Sequence, residues 1–209
     1  MLVAIIDTGI QTGIFPTGSI VQDLEVAHFG IVRERKGKIH SFHGTLVAAI
    51  LEKYAPGCEI CSIKIFDDET QTTACSKLCS ALRWCQSARI PIISICAGTV
   101  NQKSFKKVGR IVDKLHENGQ TIISAYNKNN IPTMPAGHKA VIGVRTDSTL
   151  LEGEYMPDLI AQKQDFIASS QHELHFIWGK SFITPLSTSC AVPRITAAFV
   201  NMANNMRME

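Results

Sequence analysis

The sequence predicts an α/β fold in which a mostly parallel central sheet is covered by helices on both faces. Three observations lead there. Short apolar runs alternate with longer stretches whose apolar residues recur every three or four positions, the pattern of strands joined by crossover helices. The chain has 209 residues, 45% of them apolar and 19% charged, which suits one domain, residues 1–209, with a sizeable core. Polar residues that no core needs stand at the ends of predicted strands and the mouths of predicted helices, along the edge where open α/β sheets bind ligands.

The elements follow in order. "LVAIID" (2–7) reads as a buried strand, and "HGTLVAAILEKYA" (43–55) as a helix. "CEICSIKIF" (58–66) is a strand, and "TACSKLCSALRWCQSA" (73–88) is a helix with apolar positions three and four apart. "IPIISICAG" (90–98) is a strand, and "SFKKVGRIVDKLHENG" (104–119) is an amphipathic helix with a glycine stop. "QTIISAYN" (120–127), "AVIGVR" (140–145) and the short "DFIASS" (165–170) are strands, and "SCAVPRITAAFVNMANNM" (189–206) is the last helix. Residues 8–42 and 146–185 are the least regular. Gly9, Gly13, Pro16 and Gly18 suggest that the first of these is a long excursion from the sheet.

Composition excludes several classes. The net charge is +3, and the basic clusters "RERKGK" and "KSFKK" read as solvated faces, so no nucleic-acid partner is expected. The first apolar run, "LVAII", is too short for a signal peptide, and nothing approaches the ~18 apolar residues of a membrane span. A cytoplasmic protein with no membrane partner is expected. The seven cysteines read as reduced core thiols, because the CxxC of Cys58 and Cys61 lies in a buried strand and has no second zinc pair. Cys75, Cys79 and Cys85 fall on one predicted helix. "HELH" (172–175) is one residue short of HExxH, so its histidines would not share a helical face. No metal or other cofactor is expected, and the oligomeric state is not specified.

Four polar residues gather on the predicted edge. Asp7 closes the first strand, His43 opens the next helix, Asn127 closes "IISAYN", and Ser189 opens the last helix. A serine hydroxyl is a poor nucleophile until a base within hydrogen-bond reach takes its proton, and the base needs a group to orient it. Asp7 can orient His43, and His43 can take the proton from Ser189. The Asn127 amide and the Ser189 backbone N–H can form an oxyanion hole at the positive end of a helix. Taken singly, Asp7 reads as a turn residue and Ser189 as a helix cap.

The surrounding words are more specific. "AIIDTGI", "HGTLVAAIL" and "STSCAVPRITAAF" resemble the three active-site motifs of subtilisin-like serine proteases, in the subtilisin order Asp, His, Ser. The resemblance covers most of the chain and is weakest over 10–40 and 146–164. It implies a three-layer α/β/α fold and peptide-bond cleavage through an acyl-enzyme. It also implies a peptide or protein substrate added as a strand beside Ser94, Ile95, Cys96, Ala97 and Gly98. The side chain before the cleaved bond (P1) would then enter a pocket between that segment and Ser124, Ala125, Tyr126 and Asn127.

Departures from the family pattern concern the site's surroundings. Ser187 stands where the family usually has glycine two residues before the serine, and Cys190 follows where methionine is common. Arg194 replaces a frequent histidine. Tyr126 replaces the glycine before the oxyanion asparagine, and its ring is expected to narrow the pocket and favour small P1 residues. Cys190 is expected near the cleft, and open to oxidants if exposed. The family's calcium loop in the histidine helix has no room here, and with Asp7 seven residues from the start no pro-segment is expected. The resulting expectation is a processing endopeptidase, for instance one removing a leader from a ribosomally made peptide. Alternatives are an inactive relative that binds peptides, and a peptide ligase on the same triad.

Overall fold

The computed structural model describes residues 1–15, 18–127, 131–175 and 181–207. Its centre is strand β1 (Leu2–Asp7), a run of branched apolar residues that suits a strand covered on both faces. Parallel partners flank it: β4 (Glu59–Lys64) on one side and β5 (Ile92–Ile95) on the other. Beyond β5 come β6 (Thr121–Ala125), β7 (Ile142–Thr146) and β9 (Phe166–Ala168), all parallel. Beyond β4 lies β2 (Ile20–Val26), also parallel. Antiparallel strands β3 (Val32–Glu34) and β8 (Tyr155–Pro157) close the two ends. The order is therefore β3-β2-β4-β1-β5-β6-β7-β9-β8 among the described residues.

Alternation along the strands builds two cores. Ala4 and Ile6 pack with Ile63 and Ile95 under α2 (Cys75–Ser87) and α3 (Gln102–Glu117), where Leu82 and Leu115 are fully buried. Val3 and Ile5 face the other way, against Val47 and Leu51 of α1 (His43–Tyr54) and Ala191 and Ile195 of α4 (Thr188–Asn205). Each such side chain contributes about 1.5–3 kcal/mol by leaving water. The result is the predicted mostly parallel sheet between two helical layers.

Residues 8–42 are not the expected excursion, because the chain rejoins the sheet at Ile20. The strand "IVQDLEV" buries Leu24 and Val26 and leaves Val21 and Gln22 exposed. Its mixed polarity is that of a strand near a sheet edge, and it was hidden behind a glycine-rich approach. The basic cluster beside it is spent locally, with Arg33 paired to Glu25 and Arg35 to Asp23. The expected helix at 104 starts earlier, at Gln102, because the Asn101 side chain caps it by accepting from the Lys103 N–H at 3.1 Å. "HELH" is no helix: Glu173–His175 form strand β10, which pairs with β11 (Ser181–Ile183).

The turn after β1 and the start of α1 are locked together. The N-cap residue of α1, Phe42, makes no side-chain cap bond, and the Ser41 hydroxyl accepts only a long 3.4 Å bond from the His43 N–H. Instead the Thr8 hydroxyl accepts from the Gly44 N–H at 3.0 Å, and the Thr45 hydroxyl accepts from the Gln11 N–H at 3.0 Å. Gly9 turns at φ +92°, a conformation that glycine tolerates, and a methyl on Gly44 would run into the Gly9 carbonyl. Gly44→Ala is therefore expected to cost about 1–3 kcal/mol, or roughly 2–12 °C in Tm for a chain of this size. Gly37→Ala, where a methyl meets nothing, is the control and should melt with wild type.

Candidate active site

Asp7 ends β1 at the carboxyl edge of the sheet, and its side chain is 1% exposed. Its Oδ1 accepts from the Thr8 N–H at 2.6 Å and lies 2.8 Å from His43 Nδ1. His43 is the first residue of α1, and its Nε2 lies 2.7 Å from Ser189 Oγ. Ser189 is the second residue of α4, which starts one residue earlier than expected. Three residues far apart in the chain thus form one continuous line of hydrogen bonds. Burial alone would lower the His43 pKa, but the Asp7 hydrogen bond and charge outweigh it and hold the pKa above the ordinary 6.5.

The turn carrying Ser189 is gripped by other elements. Pro193 lies inside α4 and has no N–H, so the Ser189 carbonyl lacks its helical partner. The Cys96 thiol donates to that carbonyl at 3.4 Å. The next carbonyl, of Cys190, accepts from His172 Nε2 at 3.1 Å, and His172 Nδ1 lies 3.0 Å from the Tyr54 hydroxyl on α1. His172 is fully buried, and its desolvation lowers its pKa to about 4. Sequence reasoning missed this residue because "HELH" drew attention as a metal motif and not as a single buried imidazole.

A cleft of about 440 Å³ opens over Ser189 and His43, lined also by Cys96, Ala125, Tyr126 and Asn127. Asn127 is exposed on its wall, two residues beyond the end of β6. The Ser189 N–H, in the first turn of α4, has no acceptor within the helix. Phe66, Gln71 and Ser187 line the same cleft and were not anticipated as site residues.

Other residues of the two anticipated wall segments lie elsewhere. Ser94, Ile95 and Ser124 are buried within strands, and Ser94 meets the Thr196 hydroxyl of α4 at 3.1 Å. Ala97 is buried, and Gly98 packs against Thr133 and Met134. None of these five residues lines the cleft: Ile95, Ala97 and Ser124 alternate with Cys96 and Ala125 and face the other way, while Ser94 lies deeper, under α4. Cys190 is not exposed either. It is 1% accessible, and burial pushes its thiol up to about 11, so the expected sensitivity to oxidants has no basis there.

Tyr126 is held firmly. Its hydroxyl donates to Asp165 Oδ2 at 2.8 Å, and the Arg145 guanidinium stacks 3.8 Å from the ring centre. The ring covers Gly143, where any side chain would collide with it, and the Gly143 N–H donates to Asp165 Oδ1 at 2.6 Å. Lys163 completes the cage around Asp165.

Among the described residues, no group of three or more His, Cys, Asp or Glu side chains could hold a metal ion, and no helix is long and apolar enough to cross a membrane.

Comparison with known proteins places the fold. No family model matches the chain, and no curated protein matches it in sequence. Solved structures do. The prenylagaramide maturation protease PagA superimposes with a TM-score of 0.75 at 18% identity, over 100% of this chain and 77% of that one. The self-cleaved protease domain of PatA gives 0.70 at 20%, over 100% and 82%. The epidermin leader peptide processing serine protease EpiP from Staphylococcus aureus gives 0.70 at 13%, over 100% and 66%. At these identities the likeness establishes a common fold.

The buried His172 generates a stability prediction. Its folded pKa of about 4 lies below the ordinary 6.5, so it folds neutral. Its contribution is complete above pH 6.5 and is lost as pH falls toward 4, by as much as about 3 kcal/mol. Urea midpoints measured between pH 7 and pH 4 should fall more steeply for wild type than for His172→Gln, which keeps an N–H donor and does not titrate. Parallel curves would assign the acid sensitivity elsewhere.

Proposed function

We propose that this protein is a serine endopeptidase that processes a specific peptide or protein substrate. The single observation that carries the reading is the unbroken line from Asp7 through His43 to Ser189, at 2.8 and 2.7 Å, open to a cleft at its serine end. Asp7 fixes the proton on His43 Nδ1 and leaves Nε2 to accept from Ser189. Ser189 Oγ attacks the peptide carbonyl as its proton passes to Nε2. The oxyanion forms between the Asn127 amide and the Ser189 N–H, which strengthen their bonds as charge develops. His43 then gives its proton to the leaving amine. Water, deprotonated by His43, releases the acyl group.

Two features support a processing role over general degradation. The superimposed structures include a maturation protease and a leader-processing protease, and removal of a leader from a ribosomally made peptide is the corresponding task here. The Tyr126 ring, pinned by Asp165 and Arg145, is a fixed wall beside Asn127 and restricts what can enter. We assign small P1 residues such as Gly, Ala or Ser to this site. The seven cysteines are free thiols, which suits a reducing compartment such as the cytoplasm.

Ser189→Ala should abolish labelling by a fluorophosphonate probe and lower peptide hydrolysis by ~10⁴-fold or more. Labelling that survives the substitution would sink the assignment, and an unlabelled wild type would favour a peptide-binding relative without activity. The pH profile of kcat/KM should fall on the acid side with a midpoint above 6.5, because protonated His43 cannot accept from Ser189 and Asp7 holds its pKa up. In a P1-varied peptide library, wild type should prefer small residues, and Tyr126→Gly should admit Phe or Leu with a roughly 10–100-fold gain in kcat/KM. A wild type that already prefers Phe would overturn the fixed-wall account.

A further inference from the structure

We propose that Ser187 is a second catalytic hydroxyl, donating to Ser189 Oγ and acting chiefly when that oxygen leaves the acyl-enzyme. The inference rests on Ser189 being the nucleophile. Ser187 occupies the N-cap of α4 with extended backbone, φ −147° and ψ 135°. A serine there ordinarily turns its oxygen onto an N–H of the first turn. Ser187 makes no such cap bond, and its Oγ lies instead 2.8 Å from Ser189 Oγ, on the cleft wall.

Counting protons gives the direction of that bond. Asp7, as a carboxylate, can only accept, so the 2.8 Å contact places the hydrogen on His43 Nδ1. A neutral imidazole has one N–H, so Nε2 is an acceptor. The 2.7 Å contact with Ser189 therefore consumes the single proton of the Ser189 hydroxyl. The 2.8 Å contact between the two serines must then use the proton of Ser187.

The timing follows from how strongly Ser189 Oγ accepts at each stage. In the free enzyme it is a hydroxyl that already takes the Ser187 hydrogen bond, so the charge that develops on Oγ during attack adds to a bond already made, and acylation gains the smaller increment. In the acyl-enzyme it is an ester oxygen, a weak acceptor. During deacylation, water bonds to the acyl carbon and gives a proton to His43 Nε2. The bond from carbon to Ser189 Oγ then breaks, and that oxygen takes the same proton back. Negative charge grows on Oγ in this last step, and the Ser187 hydrogen bond strengthens with it. An interaction stronger in the transition state than in the state before it accelerates that step, here deacylation more than acylation, because the ester oxygen starts as the weaker acceptor.

The test is pre-steady-state hydrolysis of p-nitrophenyl acetate, where the burst reports acylation and the steady phase reports deacylation. Ser187→Ala and Ser187→Gly should slow the steady phase roughly 10–100-fold, the worth of one hydrogen bond to a charged oxygen, and change the burst rate less than about threefold. Ser187→Thr, which keeps a hydroxyl, should restore the steady phase. Glycine suits an N-cap nearly as well as serine, so the second variant guards against a folding defect in the first. Unchanged deacylation in both variants, or equal slowing of burst and steady phase, overturns the proposal while leaving Ser189 as nucleophile. A wild type that neither hydrolyses the ester nor takes a fluorophosphonate label, or a burst that persists in Ser189→Ala, overturns the underlying reading itself.

Discussion

The contact on which this architecture depends has no side chain in it. The backbone at Gly9 lies directly against Gly44, where a side chain would collide with the Gly9 carbonyl, and Gly9 itself turns at φ +92° with Ile39 and Lys64 packed where its own side chain would stand. Everything that follows is a matter of reach. Asp7 sits two residues before Gly9 and His43 one residue before Gly44, so the glycine contact sets the separation that their 2.8 Å hydrogen bond needs. The Thr8 and Thr45 hydroxyls then fasten the two chain segments to each other. A short carboxylate and an imidazole could not bridge a wider gap.

The serine side of the site is built on a different principle, that of unpaired carbonyls. A proline inside α4 would ordinarily be a defect. Here it leaves the Ser189 carbonyl for Cys96, while His172 takes the neighbouring carbonyl of Cys190. Cys96, just past β5, and His172, just before β10 and itself braced by Tyr54 of α1, hold the first turn of α4 by its backbone. The side chain of Ser189 is left free to meet His43. Rigid mounts of this kind keep reacting groups within a fraction of an ångström of working geometry.

Much of this was legible in the sequence, for identifiable reasons. The long periodic runs gave the helices, and "LVAIID" and "IPIISICAG" declared buried parallel strands. Asp7, His43, Asn127 and Ser189 stood out because they are polar at the ends of apolar elements, and the structure lines one cleft with His43, Asn127 and Ser189 and buries Asp7 behind His43. What was illegible depends on partners distant in sequence. Strand β2 was hidden because one of its faces is polar. The pose of Tyr126 depends on Asp165, 39 residues away, and on the bare surface of Gly143. The burial of Cys190 and the role of His172 come from packing between α1, α4 and the β10 segment, which no local pattern records.

The order of the three residues along the chain has a consequence in time. Ser189 follows His43 by 146 residues and rides on the last helix described, α4. That helix also supplies Ala191, Val192 and Ile195, which with Val47 and Leu51 of α1 cover one face of the central strands. Synthesis delivers the chain from its amino end at a few residues per second. Asp7 and His43 are therefore made well before Ser189, and the sheet face that α1 shares with α4 stays only partly covered until α4 emerges. Arrival of Ser189 and closure of the core are one event. A growing chain therefore lacks the line of hydrogen bonds from Asp7 through His43 to Ser189 until α4 has packed.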